Sequence, residues 1–113
     1  LARALECGSH IGMLVDQHYT RCIVVTFFGR PCKVNPLTAL LARQTGCAIH
    51  GMRVVRQPDG NSFWGEISPP VQPVRDTDGR IEIKGTMQAI TSVIEAWVRQ
   101  FPEQWLWLHR RWR

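Results

Sequence analysis

Met87, Ile90, Ile94, Trp97, Val98 and Phe101 recur at intervals of three or four residues. That spacing matches the 3.6-residue turn, so the stretch is expected to be a long helix with one apolar face. A face of that size must be covered by a second layer, which rules out an extended or purely local architecture. Pro102 is the expected stop, because it lacks an N–H and clashes with the preceding turn. Thr86 is the expected cap at the other end.

The second layer is legible in shorter runs. Ile11 to Val15 is continuously apolar between Gly8 and Asp16, the pattern of a short strand buried on both faces. Ile23 to Phe28 is rich in β-formers and is closed by Gly29 and Pro31. Asn35-Pro36 then opens a helix as a cap with Pro at the first position, and Gly46 closes it after Leu37, Leu40 and Leu41 have lined one face. Cys47 to Val55 and Ser62 to Ile67 flank the turn residues Pro58-Asp59-Gly60-Asn61 and predict an antiparallel hairpin. Ser68 to Gly79 is rich in Pro and Asp and reads as a loop. Leu1 to Glu6 reads as the end of a helix with Gly8 behind it, as though the chain were part of something longer. The fold class predicted from these runs is α/β.

With 113 residues, 44% of them hydrophobic and 20% charged, the chain is one domain or a piece of one, and its composition argues against disorder. Its formal charge of +5 calls for an anionic partner, and twelve of its fourteen basic residues are Arg, the better donor for phosphate and carboxylate. No apolar run approaches the length that spans a bilayer. Cys7, Cys22, Cys32 and Cys47 are dispersed and contain no Cys-x-x-Cys, which favours reduced thiols. Cys7 and His10, with His18 or His50, match no standard zinc spacing, so no metal and no other cofactor is expected.

The last twelve residues, from Pro102 to Arg113, gather three of the five tryptophans with three of the arginines. Large rings interleaved with guanidinium groups suit lipid headgroups, phosphates or another chain. A short helix from Glu103 would align Trp105, Leu108 and Trp112 on one stripe. Successive helical residues diverge by ~100°, so His109, Arg110 and Arg111 cannot all face one ligand.

Four blocks carry a resemblance. Gly12-Met13-Leu14-Val15-Asp16-Gln17, Phe27-Phe28-Gly29-Arg30-Pro31, Leu41-Ala42-Arg43-Gln44-Thr45-Gly46 and the closing Pro102-Glu103-Gln104-Trp105-Leu106-Trp107-Leu108-His109-Arg110-Arg111-Trp112 stand in order across the chain. Together they resemble the bacterial lipid A late acyltransferases, the lauroyl and myristoyl transferases of the lysophospholipid acyltransferase superfamily. The sequence departs from the family pattern at Cys7-Gly8-Ser9-His10, where a Gly-Gly pair is usual, at His50-Gly51, where Val-Pro is common, and at Cys22, which replaces a frequent Gly.

The resemblance implies that residues 1–113 are the C-terminal part of a single acyltransferase domain. Its mixed sheet would be flanked by helices and closed by C-terminal amphipathic helices. The whole enzyme would move an acyl group from an acyl carrier protein thioester to a hydroxyl of a lipid A precursor. It would work on the anionic cytoplasmic face of the bacterial inner membrane and need no nucleic acid. Asp16, Gln17, Arg30, His109, Arg110 and Arg111 would bind substrate. The family's catalytic His-x-x-x-x-Asp/Glu pair is not in this sequence: the residues five after His10, His18 and His50 are Val15, Ile23 and Val55, and His109 has nothing at that distance. No catalytic residue is therefore assigned, and the pair is expected upstream. A non-catalytic peripheral membrane domain and a basic nucleic-acid-binding module remain alternatives; the second lacks a recognisable motif.

Overall fold

The computed structural model describes residues 2–14 and 23–105. Helix α1 (Ala2–Glu6) ends as expected, with Gly8 at φ 87° and the Ser9 N–H donating to the Ala4 carbonyl. Strands β1 (Ile23–Phe27) and β2 (Arg30–Val34) form one antiparallel hairpin, and β3 (His50–Arg56) and β4 (Phe63–Pro70) form another. Helix α2 (Leu37–Thr45) lies between the hairpins in sequence, and α3 (Ile83–Gln100) follows the second. A 3₁₀ turn (Pro102–Gln104) is the last element among the described residues.

The chain is thus a small α/β structure whose two sheets, among the described residues, are both two-stranded and antiparallel. The mixed sheet is not seen in them. Ile11–Leu14 lie outside regular structure, contrary to the strand expected there, and Leu14 is 84% exposed. A strand buried on both faces needs partner strands for its backbone, and no described strand pairs with this segment. Met13 instead accepts a 3.5 Å hydrogen bond from the Thr38 hydroxyl on α2.

Strand β2 was not expected, because Pro31 and Lys33 look like loop residues. Its pairing shows why Pro is tolerated. Thr26, opposite Pro31, turns its backbone away from β2, donating its N–H to Gln88 Oε1 (2.7 Å) and accepting from Gln88 Nε2 (2.9 Å). The Pro31 position therefore asks for no donor. Phe28 and Gly29 join the strands with φ values of 52° and 73°, both in the left-handed region that a two-residue hairpin turn requires.

The long helix forms and stops before Pro102, but its apolar stripe serves two neighbours. Met87, Ile90 and Val98 enter one core with Val25 and Phe27 of β1, Cys32 and Val34 of β2, and Ala39 of α2. Trp97 and Phe101 turn to the second hairpin, where their ring centroids lie 5.1 and 5.6 Å from the Arg53 guanidinium. Trp64 adds a third ring at 5.5 Å, and Arg53 Nε donates to Glu66 Oε2 at 2.7 Å across the hairpin. The other face of this hairpin leaves Met52, Val54, Phe63 and Ile67 exposed.

Thr86 is not the cap expected from its position. The helix begins three residues earlier, at Ile83, and Thr86 is fully buried inside it. Its hydroxyl oxygen accepts from the Val74 N–H at 3.1 Å, which pins the preceding loop to the helix. At α2 the cap position is Pro36, one residue later than expected; Asn35 Oδ1 still accepts from the Leu37 N–H at 3.0 Å, and Gly46 takes φ 73° to close the helix.

Candidate substrate-binding site

The Phe27-Phe28-Gly29-Arg30-Pro31 block is the tip of the first hairpin. Phe27 is fully buried, as strand alternation requires of the residue after outward-facing Thr26. Phe28 is half-buried and strained by its positive φ, an arrangement that costs roughly 1–2 kcal/mol for a residue with a Cβ. Helix α3 holds it there. The Phe28 N–H donates to Glu95 Oε1 at 2.6 Å, Glu95 Oε2 accepts from Arg99, and the Arg99 guanidinium lies 4.5 Å over the Phe28 ring. Arg30 follows on the surface, and its side chain makes no ion pair or hydrogen bond among the described residues. An exposed guanidinium at the tip of this turn can meet an anion through forked hydrogen bonds.

The closing motif enters beside this tip. Pro102 starts the 3₁₀ turn after α3. The Gln104 amide then lies along β3, its Oε1 accepting from the Arg56 N–H (2.7 Å) and its Nε2 donating to the Arg56 carbonyl (3.0 Å). One side chain thereby imitates a strand neighbour, as Gln88 does for Thr26 on the other hairpin. Trp105 packs edge-on against Phe27 with ring centroids 5.5 Å apart, and Phe27 packs against Phe28 at 4.8 Å. The Phe-Phe-Gly block and the beginning of the tail are one packed cluster.

Of the six expected binding residues, Arg30 is the one the structure places. Asp16, Gln17, His109, Arg110 and Arg111 lie outside the described residues, as does Cys22. Sequence reasoning missed the residues that build the cluster's frame: Gln88, Glu95 and Arg99 look like ordinary solvated positions on a helix, and Gln104 is hidden in a motif whose aromatic and basic residues draw attention first. Asp59, in the β3–β4 turn, is held below the usual carboxylate range by the Asn61 N–H, the Ser62 hydroxyl and the Ser62 N–H. Among the described residues no group of three His, Cys, Asp or Glu is placed to hold a metal, and no helix is long and apolar enough to cross a membrane.

Comparison with known proteins bears on the same blocks. Over 117 aligned residues the chain is 26% identical to the lipid A biosynthesis lauroyltransferase of Escherichia coli (strain K12). The match takes in 100% of the chain and 37% of that relative, so the chain spans little more than a third of its relative's length. The model of the bacterial lipid A biosynthesis acyltransferase family matches residues 1–113. A family match over every residue, including the block that packs Trp105 on Phe27, places this chain in the bacterial lipid A biosynthesis acyltransferases.

Proposed function

We propose that this chain is the substrate-binding, C-terminal part of an enzyme that transfers a fatty acyl group from acyl carrier protein to a hydroxyl of a lipid A precursor. The observation that carries the reading is the family match across residues 1–113. The Phe27–Trp105 contact supports treating the hairpin tip and the tail as one binding surface, with Arg30 at its edge. Asp16, Gln17, His109, Arg110 and Arg111 complete that surface in this reading, and their charges suit the phosphates of the acceptor. A family mixed sheet would be completed by strands from the remainder of the protein.

The chemistry requires a base to take the acceptor hydroxyl's proton as that oxygen attacks the thioester carbonyl, with the carrier's thiol leaving. No His of this sequence has an acidic residue five positions on to orient it. The His-acid pair is therefore supplied from outside these residues, and the work takes place at the anionic cytoplasmic face of the inner membrane.

The test is a chimera in which this chain replaces the matched segment of the E. coli lauroyltransferase, assayed for acyl transfer from acyl carrier protein. Transfer by the chimera, with Arg30→Ala raising KM for the acceptor about tenfold, is the expected result. The isolated 113-residue chain is expected to transfer nothing. A folded chimera whose KM is indifferent to Arg30, Arg110 and Arg111 would remove the binding role, and transfer by the isolated chain would remove the division of labour.

A further inference from the structure

A cleft of about 400 Å³ opens where the end of α2 meets the start of β3 and the loop before α3. Three arginines line it: Arg43 from the last turn of α2, and Arg75 and Arg80 from the loop. Its apolar lining includes Ala42 and Ile81, which are buried, and Ile49 and Val71, which are half-buried. The Val71 N–H donates to the Ile49 carbonyl at 2.7 Å and ties two of these lining residues together.

None of the three guanidinium groups has a carboxylate at ion-pair distance among the described residues. The nearest acid in sequence, Asp76, is already committed, its Oδ1 accepting from the N–H groups of Asp78 and Arg80. Nor does the end of α2 require these cations. Its Leu41 and Ala42 carbonyls accept from the Thr45 hydroxyl and the Gly46 N–H. Arg75 is held in place, donating from Nη1 to the Gly79 carbonyl at 2.9 Å, while the Arg75–Ile81 bridge fixes the two ends of the loop. Three guanidinium groups without a carboxylate partner among the described residues, one of them held by the Gly79 carbonyl, line one cleft beside apolar side chains, which is the chemistry of an anion site.

We propose that this cleft binds a phosphate monoester. A phosphate monoester offers more charge and more acceptor oxygens than a carboxylate, so it can engage more than one guanidinium at once. The volume falls within the usual range for small-ligand sites. The apolar lining residues suit a carbon skeleton or lipid chain attached to the phosphate. The proposal does not depend on the acyl-transfer reading, since none of these residues belongs to the binding surface described above.

The test uses the purified 113-residue chain, titrated with inorganic phosphate and, separately, acetate in low-salt buffer, while amide shifts are followed by NMR. Phosphate is expected to move the Gly46, Gly79 and Arg80 amides and to bind at least about tenfold more tightly than acetate. Arg43→Ala combined with Arg80→Ala should weaken phosphate at least about tenfold, because both side chains are exposed and make no hydrogen bond within the described fold. Lys84→Ala should leave it unchanged. Arg43→Gln with Arg80→Gln provides the same comparison should the double alanine variant lose its circular dichroism spectrum. Flotation with phosphatidylcholine vesicles, with and without phosphatidic acid, separates the sources. Arginine-dependent capture by phosphatidic acid identifies a lipid headgroup, and phosphate binding without vesicle capture identifies a soluble phosphate compound. Shifts confined to other residues, equal affinity for acetate, or a double variant that binds phosphate as tightly as the parent chain would overturn the proposal.

Discussion

Replacing Gln104 by Ala removes two hydrogen bonds with one substitution, both to the Arg56 backbone, at 2.7 and 3.0 Å. A net contribution of roughly 0.5–1.5 kcal/mol for each bond sets the loss at about 1–3 kcal/mol. Both residues are exposed, so water can resolvate the freed Arg56 groups, and the lower part of that range applies, about 1–2 kcal/mol. With an unfolding entropy of roughly 2.1 cal/mol/K per residue, a chain of this size loses about 4–8 °C of Tm if the turn unfolds with the rest. If the turn opens by itself, the loss appears in Arg56 N–H hydrogen exchange, which should quicken about tenfold. Gln104→Glu sharpens the argument, because the carboxylate still accepts from the Arg56 N–H but sets an oxygen against its carbonyl. It should therefore lose at least half of what Ala loses. Unchanged Arg56 exchange together with an unchanged Tm in both variants would refute the idea that Gln104 stitches the closing motif to β3.

Three further outcomes are expected. Gly51→Ala puts a Cβ 2.7 Å from Trp97 Cη2 and 3.2 Å from Ser68 Oγ, so the Trp97 ring must leave its seat near Arg53; denaturant titration should show a loss of about 1–3 kcal/mol, and an unmoved midpoint would contradict the packing. Thr86→Val keeps the buried volume but takes the acceptor from the Val74 N–H, costing about 1–3 kcal/mol by the same measurement, whereas Thr86→Ser should recover most of the loss. Asp59 has its folded-state pKa below the unfolded value near 3.9, so its stabilising effect is complete above that value and fades as pH falls through the lower, folded one. Asp59→Asn should flatten that acid limb of the stability profile, and an identical limb in parent and variant would count against it.

The elements legible in the sequence are those whose signal is local. The 3.6-residue spacing of α3, Asn35-Pro36 before α2, Gly46 after it and the Pro58–Asn61 turn each act through their own backbone, and each appears in the structure. The misreadings share a different cause. Thr86 has the composition of a cap, but its hydroxyl is claimed by a loop twelve residues away. Pro31 has the composition of a loop, but Gln88, 62 residues from Thr26, takes over the backbone groups that would otherwise exclude it. Ile11–Leu14 have the hydropathy of a buried strand without a described neighbour to pair with. Periodicity reports which face is apolar; it does not report which partner will cover it.

The same distinction changes how the closing motif is read. Its first letters have folding roles: Pro102 follows the end of α3, Gln104 completes the edge of β3, and Trp105 joins the Phe27 cluster. The aromatic richness that marks the tail as functional is therefore partly architectural, and Trp105 is core-packed rather than a free membrane anchor. That anchoring narrows the role left to His109, Arg110 and Arg111 in the proposed site. Trp105 fixes where the motif starts, against the side chain of Phe27, in the same turn that carries Arg30. The Phe27–Trp105 contact is what supports treating Arg30 and the start of the tail as one surface in the proposed site. Enlarging the gap between those rings with Phe27→Leu should weaken acceptor binding in the chimera even though Arg30 and the arginines are all retained. Acceptor KM in a folded Phe27→Leu chimera equal to that of the parent would show that the cluster does not position them.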